Sequence, residues 1–313
     1  MGKKGQTRMA MWLFSEMRNS GCKPDTSVYN ALITAHLHSR DKSKALAKAL
    51  WYFEKMKGME SIVTPDIYTF NGVMDAYGKL GMIREMELVL SRMKSNQIKP
   101  DIITFNLLID AYGRKQEFDK MEQVFKSLLR SKRKPTLPTF NSMITNYGKA
   151  RLREKADLVF QKMTEMGYKP SFITYECLIM MYGYCDCISR AREIFDQMAE
   201  SEKEKKVSTL NAMLDVYCRN ALPMEADMLF ESARRSRMFA VDSSTYKLLY
   251  KAYTKADLKE LMEKLLMYMD KDGIIPNKRF FLDALGALGS SPSGKKSTRK
   301  SDGLRQEAAT AQS

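Results

Sequence analysis

Asparagine recurs in one sequence context along this 313-residue chain. Asn30, Asn71, Asn106, Asn141 and Asn211 each follow an aromatic residue or leucine and open a short apolar run. The runs read VYNALI from Val28, TFNGVM from Thr69, TFNLLI from Thr104, TFNSMI from Thr139 and TLNAML from Thr209. A side-chain amide donates and accepts hydrogen bonds at once, so a row of amides can face a polar edge that also does both. Asparagine is also a poor helix-interior residue. Five at one phase, each past the position of a helix cap, argue for a row facing a groove. Two members of the series depart, with Glu176 in TYECLI and Lys247 in TYKLLY.

The spacing of these residues defines the elements that carry them. Residues 30, 71, 106, 141, 176, 211 and 247 are separated by 41, 35, 35, 35, 35 and 36. Pro24, Pro65, Pro100, Pro135 and Pro170 keep the same step. Two markers in one register indicate a repeat, and a unit of this length reads as two helices. In residues 67–101 a first helix carries Phe70, Val73, Met74 and Tyr77 on one face. A second carries Met86, Val89, Leu90 and Met93, and both sets follow the helical period. Gly78 and Gly81 are expected to mark the turn between them, and Lys99-Pro100-Asp101 to end the unit. Thr69, Thr104 and Thr139 are expected to cap the helices they precede. A corner of the type Ala76-Tyr77-Gly78 recurs at Ala111-Tyr112-Gly113, with variants at Asn146-Tyr147-Gly148 and Met181-Tyr182-Gly183. One helix pair cannot bury its apolar face alone, so the pairs must stack. The expected fold is an all-α, right-handed superhelical solenoid of helix-turn-helix repeats.

The repeats fall at 26–66, 67–101, 102–136, 137–171, 172–206, 207–242 and 243–277. The first exceeds the 35-residue step by six residues, with its second helix extended over residues 44–57. Residues 1–25 read as a second helix alone, from Met11, Leu13, Phe14 and Met17, which implies sequence upstream of this chain. Residues 278–289 read as a lone capping helix, and 290–313 as a disordered basic tail.

Composition narrows the partner. The net charge is +15, with +3 in residues 1–25 and +3 in residues 290–313, so the body keeps +9. A basic body attracts polyanions. There is no apolar run of membrane-spanning length, and MGKKGQT contains neither a signal core nor an Arg/Ser-rich leader. Five cysteines at irregular spacing read as free, packed thiols. The 24 methionines read as core filler between helices. His36 and His38, two apart, point to different faces of a helix and suggest no metal site. Cys185 and Cys187 read as a turn, and residues 200–206 as a solvated linker. Lys126, Arg130, Lys132, Arg133 and Lys134 form a basic stretch that either meets phosphates or is a solvated face. No catalytic constellation is visible: there is no Ser-His-Asp set, no Gly-rich phosphate loop and no zinc-deaminase signature. No cofactor and no enzyme activity are expected.

The repeated opening T-[FY]-N, the A-Y-G corner, the run Ala191 to Met198 and the K-P-D ending resemble P-class pentatricopeptide repeats of plant organelles. The resemblance spans about residues 8–289. Residues 3–38 and 175–192 resemble in particular a chloroplast member that supports an intron-containing glycine transfer-RNA precursor. The resemblance implies single-stranded RNA as partner, read one base per repeat in a concave groove. The implied base-reading pairs are Asn30 with Asp66, Asn71 with Asp101, Asn106 with Thr136, Asn141 with Ser171, and Asn211 with Asp242. Glu176 with Lys206 and Lys247 with Asn277 depart from the pattern. Tyr68, Ile103, Pro138 and Ile173 are the implied base-stacking residues; Ser27, Ser208 and Ser244 fit that role poorly. By the family's code, Asn with Asp prefers U, Asn with Ser prefers C and Asn with Thr accepts a pyrimidine. A pyrimidine-rich organellar site follows, in the chloroplast or alternatively the mitochondrion, with other processing factors as further partners. The competing reading is a protein-binding tetratricopeptide-type scaffold, which the 35-residue step, basic charge and repeated asparagine disfavour.

Overall fold

The computed structural model describes residues 7–37, 42–57, 63–131, 133–201, 206–236, 239 and 241–274. The expected cap at 278–289 and tail at 290–313 lie outside them. Among the described residues are fifteen α-helices and no strand. They are α1 (Thr7–Asn19), α2 (Thr26–Leu37), α3 (Lys42–Lys57), α4 (Ile67–Leu80), α5 (Ile83–Ser95), α6 (Ile102–Arg114), α7 (Phe118–Arg130) and α8 (Leu137–Lys149). They continue with α9 (Arg153–Glu165), α10 (Phe172–Tyr184), α11 (Ile188–Ser201), α12 (Val207–Arg219), α13 (Pro223–Ser236), α14 (Ser243–Lys255) and α15 (Lys259–Lys271). The chain divides into two compact units, residues 1–240 and 241–313. The second contains the pair α14–α15.

In the first unit α2, α4, α6, α8, α10 and α12 are the first helices of successive pairs, and each packs on the next. The second helices, α3, α5, α7, α9, α11 and α13, pack on their partners. The core between the layers takes Phe70, Phe140, Phe230, Met74, Met86 and Ile33, all under 2% exposed. Each such side chain contributes roughly 1.5–3 kcal/mol relative to solvent exposure. Met93, Met121, Met163 and Met213 are also buried, so much of the methionine is the filler that composition suggested.

The start of the first helices corrects one expectation. Thr69, Thr104 and Thr139 are not the caps. Each stands three residues inside its helix, and the cap is the last residue of the preceding repeat: Asp66, Asp101 and Thr136. Asp101 has extended backbone, φ −105° and ψ −176°. Its Oδ1 accepts from the Thr104 N–H at 2.9 Å, and the Thr104 hydroxyl accepts from the Asp101 N–H at 3.1 Å. This reciprocal box satisfies two backbone donors that a helix start leaves orphaned. Ser171 with Thr174 and Asp242 with Thr245 repeat it, while Lys206 before α12 makes no side-chain cap.

The turn is corrected as well. Gly78 lies inside α4, and the turn residue is Gly81, with φ +70°. The equivalent positions Gln116, Arg151, Asp186, Ala221 and Asp257 adopt the same left-handed conformation without being glycine. The helical glycines serve a close approach of successive first helices. A Cβ built on Gly148 would stand 2.8 Å from the Cα of Met181, and one on Gly183 would stand 2.4 Å from Val216. The recurrent corner is therefore a packing notch in the last turn of the helix.

Candidate nucleic-acid interface

The residues singled out by the repeat lie together near the start of each first helix. Asn30 Nδ2 donates to Asp66 Oδ1 at 3.0 Å, Asn71 Nδ2 to Asp101 Oδ1 at 3.1 Å, and Asn106 Nδ2 to Thr136 Oγ1 at 3.4 Å. The amide oxygens of Asn30, Asn71 and Asn106 accept from the hydroxyls of Thr69, Thr104 and Thr139 at 2.5, 2.7 and 2.6 Å. Each amide thus bridges a cap residue and the threonine of its box. The sequence reading missed that third member. Its signal was a threonine three places after each Asp, Thr or Ser. Burial pushes the Asp101 carboxyl up, but the Thr104 N–H and hydroxyl, the Asn71 amide and the Arg133 charge outweigh it. The group therefore titrates below the ordinary carboxylate range.

Asn141 and Ser171 are placed alike but joined differently. Ser171 Oγ lies 3.0 Å from the Thr174 hydroxyl and accepts from the Thr174 N–H at 3.2 Å. The amide oxygen of Asn141 is buried without a partner. Glu176 takes a long contact from the Thr209 hydroxyl at 3.5 Å, and Lys206 lies over the Phe172 ring at 4.2 Å. Asn211 and Asp242 belong to different units.

Tyr68, Ile103, Pro138 and Ile173 are exposed, Tyr68 by 73%. Large apolar groups in water beside a row of amides are what a face that sandwiches flat rings would present. Ser27, Ser208 and Ser244 stand exposed at the same place. Between α6, α8 and α10 a concave space of about 810 Å³ is lined by Ile103, Pro138 and Ile173 together with Asn106, Asn141 and Ser171. Residues from three consecutive repeats therefore converge on one groove.

The same groove contains Asp110, Thr145, Lys149 and Cys177, which the sequence reading did not single out. Lys149 belongs to a ladder at the thirteenth residue of the first helices: Lys79, Arg114, Lys149 and Arg219. Lys79 pairs with Asp75 at 2.5 Å, Arg114 with Asp110, and Arg219 with Asp215 at 2.6 Å. Thr145 occupies the aspartate position beside Lys149. The signal was present in the register but diluted among 52 lysines and arginines.

Other residues of interest fall elsewhere. His36 is 4% exposed and stacks on Tyr52 at 5.6 Å between ring centroids. Burial, aided by Lys48, holds its imidazole below the ordinary range. His38 and Lys132 lie outside the described residues, as does most of the stretch at 200–206. Among the described residues no three metal-ligating groups cluster and no helix is long and apolar enough to cross a membrane. Cys187, in the turn after α10, donates to the Cys185 carbonyl at 3.4 Å. Lys126 lines a separate concavity of about 560 Å³ with Phe125, Leu129, Lys155 and Leu158 of α7 and α9. That part of the basic stretch does not line the groove of the amide row.

Stacked helix pairs with a capped, amide-lined edge define a helical-repeat protein, and the chain belongs to the pentatricopeptide repeat family. The pentatricopeptide repeat domain matches residues 3–39, 12–80 and 134–185. The PPR repeat family matches 65–114 and 100–149, and the PPR repeat 173–202 and 208–238. The chain is similar to the chloroplastic pentatricopeptide repeat-containing protein PPR5 homolog of Oryza sativa, 65% identical over 93% of this chain and 65% of the relative. It is similarly related to the chloroplastic PPR5 of Zea mays, 63% identical over the same shares. The chain thus spans slightly under two thirds of the length of these curated relatives. Among solved structures it resembles maize PPR10 with a TM-score of 0.58 and 22% identity, over 91% of this chain and 44% of that one. It also resembles PPR10 in complex with an 18-nt psaJ RNA element, with a TM-score of 0.57 and 22% identity over 92% of this chain and 46% of that one. These likenesses show the fold.

Proposed function

We propose that this chain binds single-stranded RNA along the amide-lined face, one base per repeat, in a chloroplast transcript. The observation that carries the reading is the groove in which Asn106, Asn141 and Ser171 stand between the exposed Ile103, Pro138 and Ile173. Apolar side chains one repeat apart would sandwich a base. The amide and the cap residue would meet its edge, in the pairs Asn30–Asp66, Asn71–Asp101, Asn106–Thr136 and Asn141–Ser171. Lys79, Arg114, Lys149 and Arg219 would meet phosphates. The net charge of +15 supports an anionic partner. The complex of PPR10 with its RNA element and the chloroplastic relatives agree with the reading. The role is one of binding: a strand held in the groove is shielded from nucleases and kept from pairing. The resemblance at residues 3–38 and 175–192 favours a glycine transfer-RNA precursor as the transcript, with its intron's splicing as the outcome and other processing factors as partners.

Filter binding with a random-sequence RNA pool tests this reading. Single strands should bind, and affinity should fall steeply between low and physiological salt as counterion release predicts. A perfect duplex should bind more weakly, because pairing hides the base edges. Equal affinity for duplex, or none for the pool, would overturn it.

A further inference from the structure

The amides of the groove are not equivalent before any ligand arrives. Asn30, Asn71 and Asn106 are each bonded at both ends, to a cap residue through Nδ2 and to a threonine through Oδ1. Asn141 is 8% exposed, lines the groove, and has an oxygen with no partner. The other amide oxygens take the hydroxyl of a box threonine; here the Thr174 hydroxyl lies 3.0 Å from Ser171 Oγ instead, and no donor reaches the Asn141 oxygen. A second feature sets the same repeat apart. Lys149, in the same groove, faces Thr145 where α4, α6 and α12 have an aspartate, so its ammonium has no carboxylate partner among the described residues.

We infer that repeat 137–171 is the anchor of the groove, the one rung among the described residues where a nucleotide's base and phosphate both meet unengaged groups, at Asn141 and Lys149. A base arriving at Asn71 must displace or share bonds that already exist, so the net gain is small. A base arriving at Asn141 meets an amide whose buried oxygen has no bond to give up, and turning that oxygen to the base supplies the donor it lacked. A phosphate near Lys79 or Arg114 competes with a carboxylate; one near Lys149 does not. Affinity and base discrimination are therefore concentrated at this rung instead of being shared equally. The inference rests on the RNA-binding reading above and deepens it.

The test uses the whole chain and a labelled single-stranded RNA containing the core UUUCAUA. Asn141→Ala should raise Kd about tenfold, the order expected for one buried acceptor left unmet. The same change should leave Tm unaltered or raised, since it removes a buried group without a partner. Asn71→Ala should do the reverse, lowering Tm because it breaks the bonds to Asp101 and Thr104, and raising Kd about threefold or less. If Asn71→Ala does not fold, single-base substitution on wild-type protein gives the same answer. One position, the C, should discriminate about tenfold more strongly than its neighbours and lose that prominence in Asn141→Ala. Equal losses for the two variants, or a lowered Tm in Asn141→Ala, would overturn the anchor while leaving RNA binding intact. Failure of wild-type chain to bind this RNA and a random pool would remove the RNA-binding reading, and the anchor with it.

Discussion

The Tyr147 hydroxyl donates a hydrogen bond to Glu122 Oε1 across 2.8 Å, tying the first helix of one repeat to the second helix of the repeat before it. Tyr112 reaches Glu87 at 2.9 Å and Tyr182 reaches Asp157 at 2.8 Å in the same way. Lys155 approaches Glu122 at 2.8 Å and Lys120 approaches Glu87 at 3.0 Å, so at these two buckles three side chains from three helices meet. Tyr147→Phe keeps the ring in its buried place and removes the bond. The expected loss is about 1.5–3 kcal/mol, as for a hydrogen bond to a charged group, read by chemical denaturation. An unchanged midpoint would mean that the buckle carries no net stability.

These buckles predict the sign of the acid response. The Lys155 hydrogen bond, opposed by burial and aided by Tyr147, holds the Glu122 carboxyl below its ordinary value of 4.5. Lys120 does the same for Glu87. A group lowered in the folded state stabilises above its unfolded value and loses that contribution as pH falls through its folded one. Unfolding free energy should therefore decline below about pH 4.5, with a shallower slope in Glu122→Gln. An identical slope in that variant would contradict the assignment.

Gly148→Ala places a methyl 2.8 Å from the Cα of Met181, where backbone must give way. Overpacking of this kind costs about 1–3 kcal/mol. Thermal unfolding checks it, and a Tm equal to wild type would show that the notch is slack.

Ala221 has φ +55°, a conformation that costs an L-residue about 1–2 kcal/mol. Ala221→Gly removes that strain but adds unfolded-state entropy of about 0.5–1 kcal/mol. A gain of about 0.5–1 kcal/mol is expected, measured as a shift in denaturant midpoint. Destabilisation would mean that the alanine methyl has packing worth more than the strain.

Recoding tests the reading of bases directly. On the proposed reading the family's code would have the seven repeats read 5′-U-U-Y-C-n-U-n-3′, the amino-terminal repeat at the 5′ side. Asn141→Thr with Ser171→Asn should move the fourth preference from C towards A and leave the other positions alone. Selection from a randomised pool reads the outcome. A uniform loss of affinity for all four bases there would reduce these two residues to support of the fold.

The period of the fold was legible because two unrelated residue types, the asparagines and Pro65, Pro100, Pro135 and Pro170, kept one register. What escaped was local. Thr69, Thr104 and Thr139 look like caps in one dimension because a hydroxyl precedes an aromatic residue. The chain in fact turns helical three residues earlier, at Asp66, Asp101 and Thr136. Gly78 looked like a turn because glycine breaks helices, yet it lies inside α4, and at the equivalent Gly148 the missing side chain admits Met181 of the next repeat, 2.8 Å from where a Cβ would stand. The bond between Asn71 and Asp101 was not readable either: a pairing in sequence register does not say whether two polar groups await a third party or each other.

The notches have one more consequence. What enters each differs: Ala111 at Gly78, Asn146 at Gly113, Met181 at Gly148 and Val216 at Gly183. These residues act as shims of graded thickness, each wedged between two successive first helices. On the proposed reading the interval between neighbouring amides must keep pace with the stride of a polynucleotide. The shims are then the ruler that sets it, and exchanging one would shift the register of every base beyond it without touching the RNA.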